Sequence, residues 1–288
     1  MAMKEQSEFI VSDDWLKARL GDPQLSILDA SWYLPAAKRN GREEYEKAHI
    51  PGAVFFDHDK VCDETSGLPH TLPSPDKFAQ FAGDMGVNAD DTIVIYDSIG
   101  FFSAPRAWWM FRVMGANHVY VLDGGFAGWK EKHYPVTSEP TKIRKTLFKV
   151  NFDTEKVVLI DEMRELVDGK TTQIADARNH KRFLGEEAEP RPGMRSGHMP
   201  GAHNIPFATL SEAGNFKDLS KIKTIFKDAG INVAAPVVTT CGSGVTAAVL
   251  ALALESLGNH NVRLYDGSWS EWGAKKDTPV VTGNNGDK

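Results

Sequence analysis

Two kinds of apolar run alternate along the chain. Short runs rich in β-branched residues, at 93–96 and 237–240, are flanked by polar and glycine-containing stretches, as expected of central parallel strands buried on both faces. A loop and then a longer apolar segment of helical character follow each of them, at 104–114 and at 247–257, the latter stopping before Gly258. Further short runs at 119–122 and 262–265 predict the next strands. Such βαβ units require right-handed crossovers and helices on both faces of the sheet, so each half is expected to be an α/β domain, a three-layer α/β/α sandwich around a parallel central sheet.

The pattern is written twice, which predicts two tandem homologous domains. Leu28-Asp29-Ala30 is answered by Ala175-Asp176-Ala177-Arg178, and His49-Ile50-Pro51-Gly52-Ala53 by His198-Met199-Pro200-Gly201-Ala202. Leu122-Asp123-Gly124-Gly125 is answered by Tyr265-Asp266-Gly267-Ser268, where both segments read as turns after strands. Periodicity lapses from about 135 to 151, a lysine-bearing stretch among Ser, Thr and Pro. The expected division is a first domain over 1–140, a linker over 141–155 and a second domain over 156–288. His49 and His198 recur in both copies and are therefore expected to hold turns.

One position separates the copies chemically. At the carboxyl end of the central strand, where α/β sheets bind their ligands, the first copy has Asp97 and the second Cys241. After Cys241 come Gly242, Ser243, Gly244, Val245 and Thr246, and then a helix. A glycine-rich turn feeding a helix N-terminus makes an anion cradle of backbone N–H groups, which favours an ionised sulfur over a thiol. A lone cysteine is otherwise most often a small buried apolar residue, and that expectation stands for Cys62.

Composition narrows the field. A net charge of -6 offers no basic excess for nucleic acid, and no apolar run approaches the ~20 residues of a membrane span. The first residues carry no apolar signal core, so a soluble cytoplasmic protein is expected. Two cysteines supply neither a disulfide framework nor a zinc site, and no nucleotide fingerprint follows the turn glycines, so no metal and no cofactor are expected.

Taken together, these motifs resemble the rhodanese superfamily, and the resemblance runs from Leu28-Asp29-Ala30-Ser31-Trp32-Tyr33 through Ser103-Ala104-Pro105-Arg106 to Trp272. It implies two tandem rhodanese-like domains, the first without a nucleophile, and sulfur transfer through a persulfide on Cys241. Family members that use thiosulfate usually carry Arg and Lys after the cysteine, whereas Gly242 and Ser243 stand here, so 3-mercaptopyruvate is the donor implied, with thiosulfate the alternative. Arg182 and Arg191 match the family's two substrate-binding arginines. Composition alone would instead pair them with Glu186, Glu187 and Glu189 on a solvated surface. Asp59, His70 and Ser243 match positions implicated in proton handling, and the loop residues Gly242, Gly244, Val245 and Thr246 are expected to bind substrate. Animal members often carry Tyr where Phe101 and Phe102 stand. The implied acceptors are a small thiol, cyanide or thioredoxin, and the implied state is a monomer. Two other classes compete with this reading: a phosphatase of related fold, which needs a longer loop ending in Arg, and a non-catalytic persulfide-binding scaffold.

Overall fold

The computed structural model describes residues 6–283. In the first half, strands β1 (Ile10–Val11), β2 (Leu25–Asp29), β3 (Ala53–Phe55), β4 (Thr92–Tyr96) and β5 (Val119–Leu122) form a parallel sheet in the order β1-β5-β4-β2-β3. Helices α1 (Asp13–Lys17), α2 (Gly41–Lys47), α3 (Pro75–Asp84), α4 (Ala104–Val113) and α5 (Gly125–Glu131) cover it. The second half repeats this with β6 (Val157–Val158), β7 (Gln173–Asp176) and β8 (Ala202–Asn204), and then β11 (Val237–Thr240) and β12 (Val262–Tyr265), in the matching order β6-β12-β11-β7-β8. Its helices are α6 (Ile160–Gly169), α7 (His180–Leu184), α8 (Leu219–Asp228), α9 (Ala247–Ser256) and α10 (Ser268–Trp272). A short antiparallel hairpin, β9 (Ser211–Glu212) and β10 (Asn215–Phe216), interrupts the second copy between β8 and α8.

Both central strands are buried on two faces, as their unbroken apolar runs require. In β4, Ile93 and Ile95 join one core while Val94 and Tyr96 join the other. The core holding Ile93 and Ile95 crosses into the second domain without a break, because α4 packs on α9. From Ala247 to Glu255, α9 is buried at every position, which explains why its sequence has no polar face. At the rim, Arg112 pairs with Glu255 at 3.1 Å.

The connecting segment is strapped down. Thr146 N–H donates to Gly83 O and Asn151 N–H to Met114 O, and Phe148 is buried against Phe78 and Phe111. A side chain at Gly83 would meet Thr146 O at 2.5 Å, so the strap depends on that glycine. Burying Phe148 and occupying these backbone groups fixes a stretch that composition alone marks as a linker. His49 and His198 hold equivalent turns: each pairs by its backbone with the chain beyond the last helix of its domain, at Thr137 and Val281. Their ring Nδ1 atoms donate to Tyr45 O and Phe183 O.

Candidate active site

The Cys241 loop is held from behind by α10. Cys241 N–H donates to Ser268 Oγ, and Ser270 donates to Gly242 O through both its backbone N–H and its hydroxyl. Cys241 is buried with Ser243 and Val245, while Gly242 and Thr246 are half-buried. The amides of 242–246 meet no protein acceptor among the described residues, which leaves a run of donors beside the sulfur. Gly244 sits at φ +79°, a conformation that L side chains rarely adopt, and a Cβ there would lie 3.0 Å from Arg106 Nη1.

The first domain covers this loop. His70, at φ 59°, projects from the segment between β3 and α3 and brings Nδ1 within 3.2 Å of Ser243 Oγ. Its Nε2 lies 3.0 Å from Asp59 Oδ1, which also accepts from Trp32 Nε1 at 3.0 Å. Hydrogen bonding to His70 holds Asp59 below the usual carboxylate range, so it is ionised and accepts only. Nε2 therefore carries a proton. Burial pushes His70 down, an effect that Asp59 opposes, so at neutral pH the imidazole is uncharged and Nδ1 accepts the Ser243 hydroxyl proton. The ring stands edge-on to Trp32 at 4.6 Å.

Arg182 lies beside the same loop, and Arg191 is coupled to its charge. Arg182, on α7, would be 3.1 Å from a Cβ on Gly242. Burial pushes Arg191 down, the Cys241 charge pulls it up and Arg182 pushes it down further, so Arg191 stands within electrostatic reach of both. The acidic partner suggested by composition exists, but it is not on a solvated surface. Glu189, with 1 % of its side chain exposed, bridges Arg178 and Arg182. Arg178 is itself buried, donates to both oxygens of Asp176 and to Gly197 O, and lies over the Trp269 ring. Its planar fork and Glu189 thus set the place of Arg182.

Sequence reasoning missed the interdomain supports. Asp266, read as a turn residue, accepts from Arg106 Nη2 (2.7 Å) and from Leu72 N–H (2.7 Å), both in the other domain. Arg106 enters the sequence reading only through the family resemblance, yet a cation in the otherwise apolar first turns of α4 signals a buried partner. Cys62 is buried and donates to Asp59 O, outside the chain of groups described above. Phe102 stacks on Trp32 and touches Phe207 across the domain boundary, so an aromatic ring fills the place of the family's tyrosine.

The first domain repeats this arrangement with its chemistry closed. Asp97 Oδ1 accepts from Ile99 and Gly100 N–H, and Oδ2 accepts from Phe102, Ser103 and Ala104 N–H. The carboxylate fills the cradle that the second domain leaves to its sulfur. Asp123 accepts from Phe216 N–H of the hairpin at 2.8 Å, as Asp266 accepts from Leu72. Gly214 takes the place that His70 has on the other side, with φ +76°, and a Cβ there would meet Ile99 O at 2.7 Å.

Comparison with known proteins agrees with this duplication. The rhodanese-like domain family matches residues 12–132 and again 159–275. The chain is 44% identical over 273 residues to the 3-mercaptopyruvate sulfurtransferase of Escherichia coli, covering 94% of this chain and 97% of that protein. It is 42% identical over 287 residues to the thiosulfate sulfurtransferase of Cricetulus griseus, covering 96% of each. The crystal structure of an Escherichia coli 3-mercaptopyruvate sulfotransferase superposes with a TM-score of 0.84 at 42% identity, over 91% of this chain and 99% of that one. With both halves matched and a five-stranded sheet of the same strand order in each, the chain belongs to the rhodanese family as a tandem pair of its domains.

Proposed function

We propose that the protein takes sulfur from 3-mercaptopyruvate onto Cys241 and passes it to a thiol, cyanide or reduced thioredoxin. The observation that carries this is the hydrogen-bonded chain Asp59–His70–Ser243 lying over the Cys241 loop. The thiolate attacks the donor sulfur and forms an S–S bond. The donor C–S bond breaks, its electron pair goes to carbon, and pyruvate leaves as the enolate. The proton of the donor thiol passes through Ser243 to His70, and a proton returned to the enolate carbon completes pyruvate. The amides of 242–246 stabilise the persulfide anion, and Arg182 and Arg191 bind the donor carboxylate and keto oxygen. An acceptor thiol then takes the outer sulfur, leaving its proton and restoring the thiolate.

Thiosulfate is the second candidate donor, because several relatives carry it in their names. Gly242 and Ser243 add no cation beside the sulfur, which suits a carboxylate donor better than a doubly charged one. The test compares kcat/KM for the two donors in Arg182→Ala and Arg191→Ala. Each variant is expected to raise the mercaptopyruvate KM by about 10- to 100-fold, the loss of one charged hydrogen-bonding partner, with a smaller rise for thiosulfate. Equal rises for both donors would remove the arginines from donor selection.

The pH profile follows from His70. Its neutral form accepts the proton, and burial sets its titration below the ordinary 6.5. The acid limb of kcat/KM is expected below that value. Because Asp59 raises His70, Asp59→Asn should move the limb to still lower pH while reducing the plateau. A limb above pH 7, or one unmoved in Asp59→Asn, would assign it to another group.

A further inference from the structure

The buried cation Arg106 has no part in the chemistry just described, although it stands at the centre of the domain boundary. Its side chain is fully buried on the first turn of α4. One nitrogen, Nη2, donates both to Asp266 Oδ1 and to the backbone oxygen of His70, each at 2.7 Å. The other oxygen of Asp266 receives Leu72 N–H, two residues beyond His70. A single ion pair thus grips the His70 turn at two backbone points and ties it to the end of β12, the neighbour of the strand β11 that carries the Cys241 loop. On the opposite side, Nη1 abuts Gly244 within that loop.

As a source of stability this is a poor arrangement. Nε and Nη1 are buried without an acceptor among the described residues, and a buried ion pair is often replaced by apolar side chains at no loss of stability. Its geometric effect is specific. His70 is held in a left-handed backbone conformation that a non-glycine residue adopts only when its surroundings impose it. The imidazole must also meet Ser243 from a different domain, 173 residues away in the chain. We infer that Arg106 is a positioning residue: it clamps the His70 turn against Asp266 so that the imidazole meets Ser243 over Cys241.

This rests on the proposed role of His70 in sulfur transfer, and a double-mutant cycle separates the two. The measurement is the single-turnover rate of sulfur loading from 3-mercaptopyruvate in Arg106→Met, His70→Asn and the double variant. Arg106→Met is expected to slow loading by about 100-fold, the effect of a displacement near 1 Å, with less than about a threefold change in the donor KM because Arg182 and Arg191 are untouched. In the His70→Asn background the same substitution should cost less than about threefold, since a residue acting through His70 has nothing left to position. Arg106→Lys, which keeps the charge, should recover part of the rate and carries the same test should Arg106→Met not fold. Equal losses in both backgrounds, or a loss confined to KM, would overturn the inference while leaving His70 in place. A His70→Asn single variant loading at the wild-type rate would instead remove the catalytic role of His70, and the inference with it.

Discussion

Cys241→Ser is expected to lose sulfur transfer by at least about 10,000-fold, because removing a nucleophile abolishes the covalent step that the rest of the site serves. The substitution is nearly isosteric, and the backbone bonds that hold the loop, from Cys241 N–H to Ser268 and from Trp269 N–H to Cys241 O, are unaffected by it. Folding should therefore be preserved and circular dichroism unchanged. Intact-protein mass spectrometry after exposure to mercaptopyruvate should show one added sulfur on the wild type and none on the variant. The Cys62→Ser variant should still gain that sulfur, since Cys62 bonds the backbone oxygen of Asp59 and leaves the carboxylate that meets His70 untouched. A Cys241→Ser protein that still takes up sulfur would end the persulfide mechanism at this position.

Asp97→Ala should be the most damaging substitution for stability in the first domain. Five backbone N–H groups converge on one buried carboxylate, and each buried donor left unpaired costs about 1–3 kcal/mol. Water entering the loop recovers part of this. So does relief of Asp29, whose carboxyl is pushed up to about 6 by burial, with the charge of Asp97 adding to the shift. A net loss of about 3–5 kcal/mol is expected, read as a lower urea midpoint. Because the loop has the form of an anion cradle, added sulfate should raise the midpoint of Asp97→Ala more than that of the wild type. A variant with the wild-type midpoint would show that the carboxylate contributes nothing to holding the loop.

How far the chain could be read follows from the range of the interactions. The strands, α4, α9 and the duplication rest on local patterns repeated twice, and they appear with ends shifted by a residue: α4 closes at Val113 and α9 at Ser256, one short of the predicted ends. The Cys241 loop was legible for the same reason. The meeting of His70 with Ser243 was not, because no periodicity encodes a contact across two domains, and only the family resemblance pointed to it. Glu189 looked like one of three surface acids, since burial depends on Arg178 folding back over Trp269. Asp266 looked like a turn residue because its partners lie on another domain.

The packing of α4 on α9 also bears on how the molecule comes apart. One apolar core runs through both halves, so melting either half first would expose to water the helix face left behind in the other. That exposure penalises partial melting relative to loss of the whole. The two halves should therefore unfold in a single cooperative transition, and damage far from the sulfur in the first domain lowers the melting temperature of the second as well.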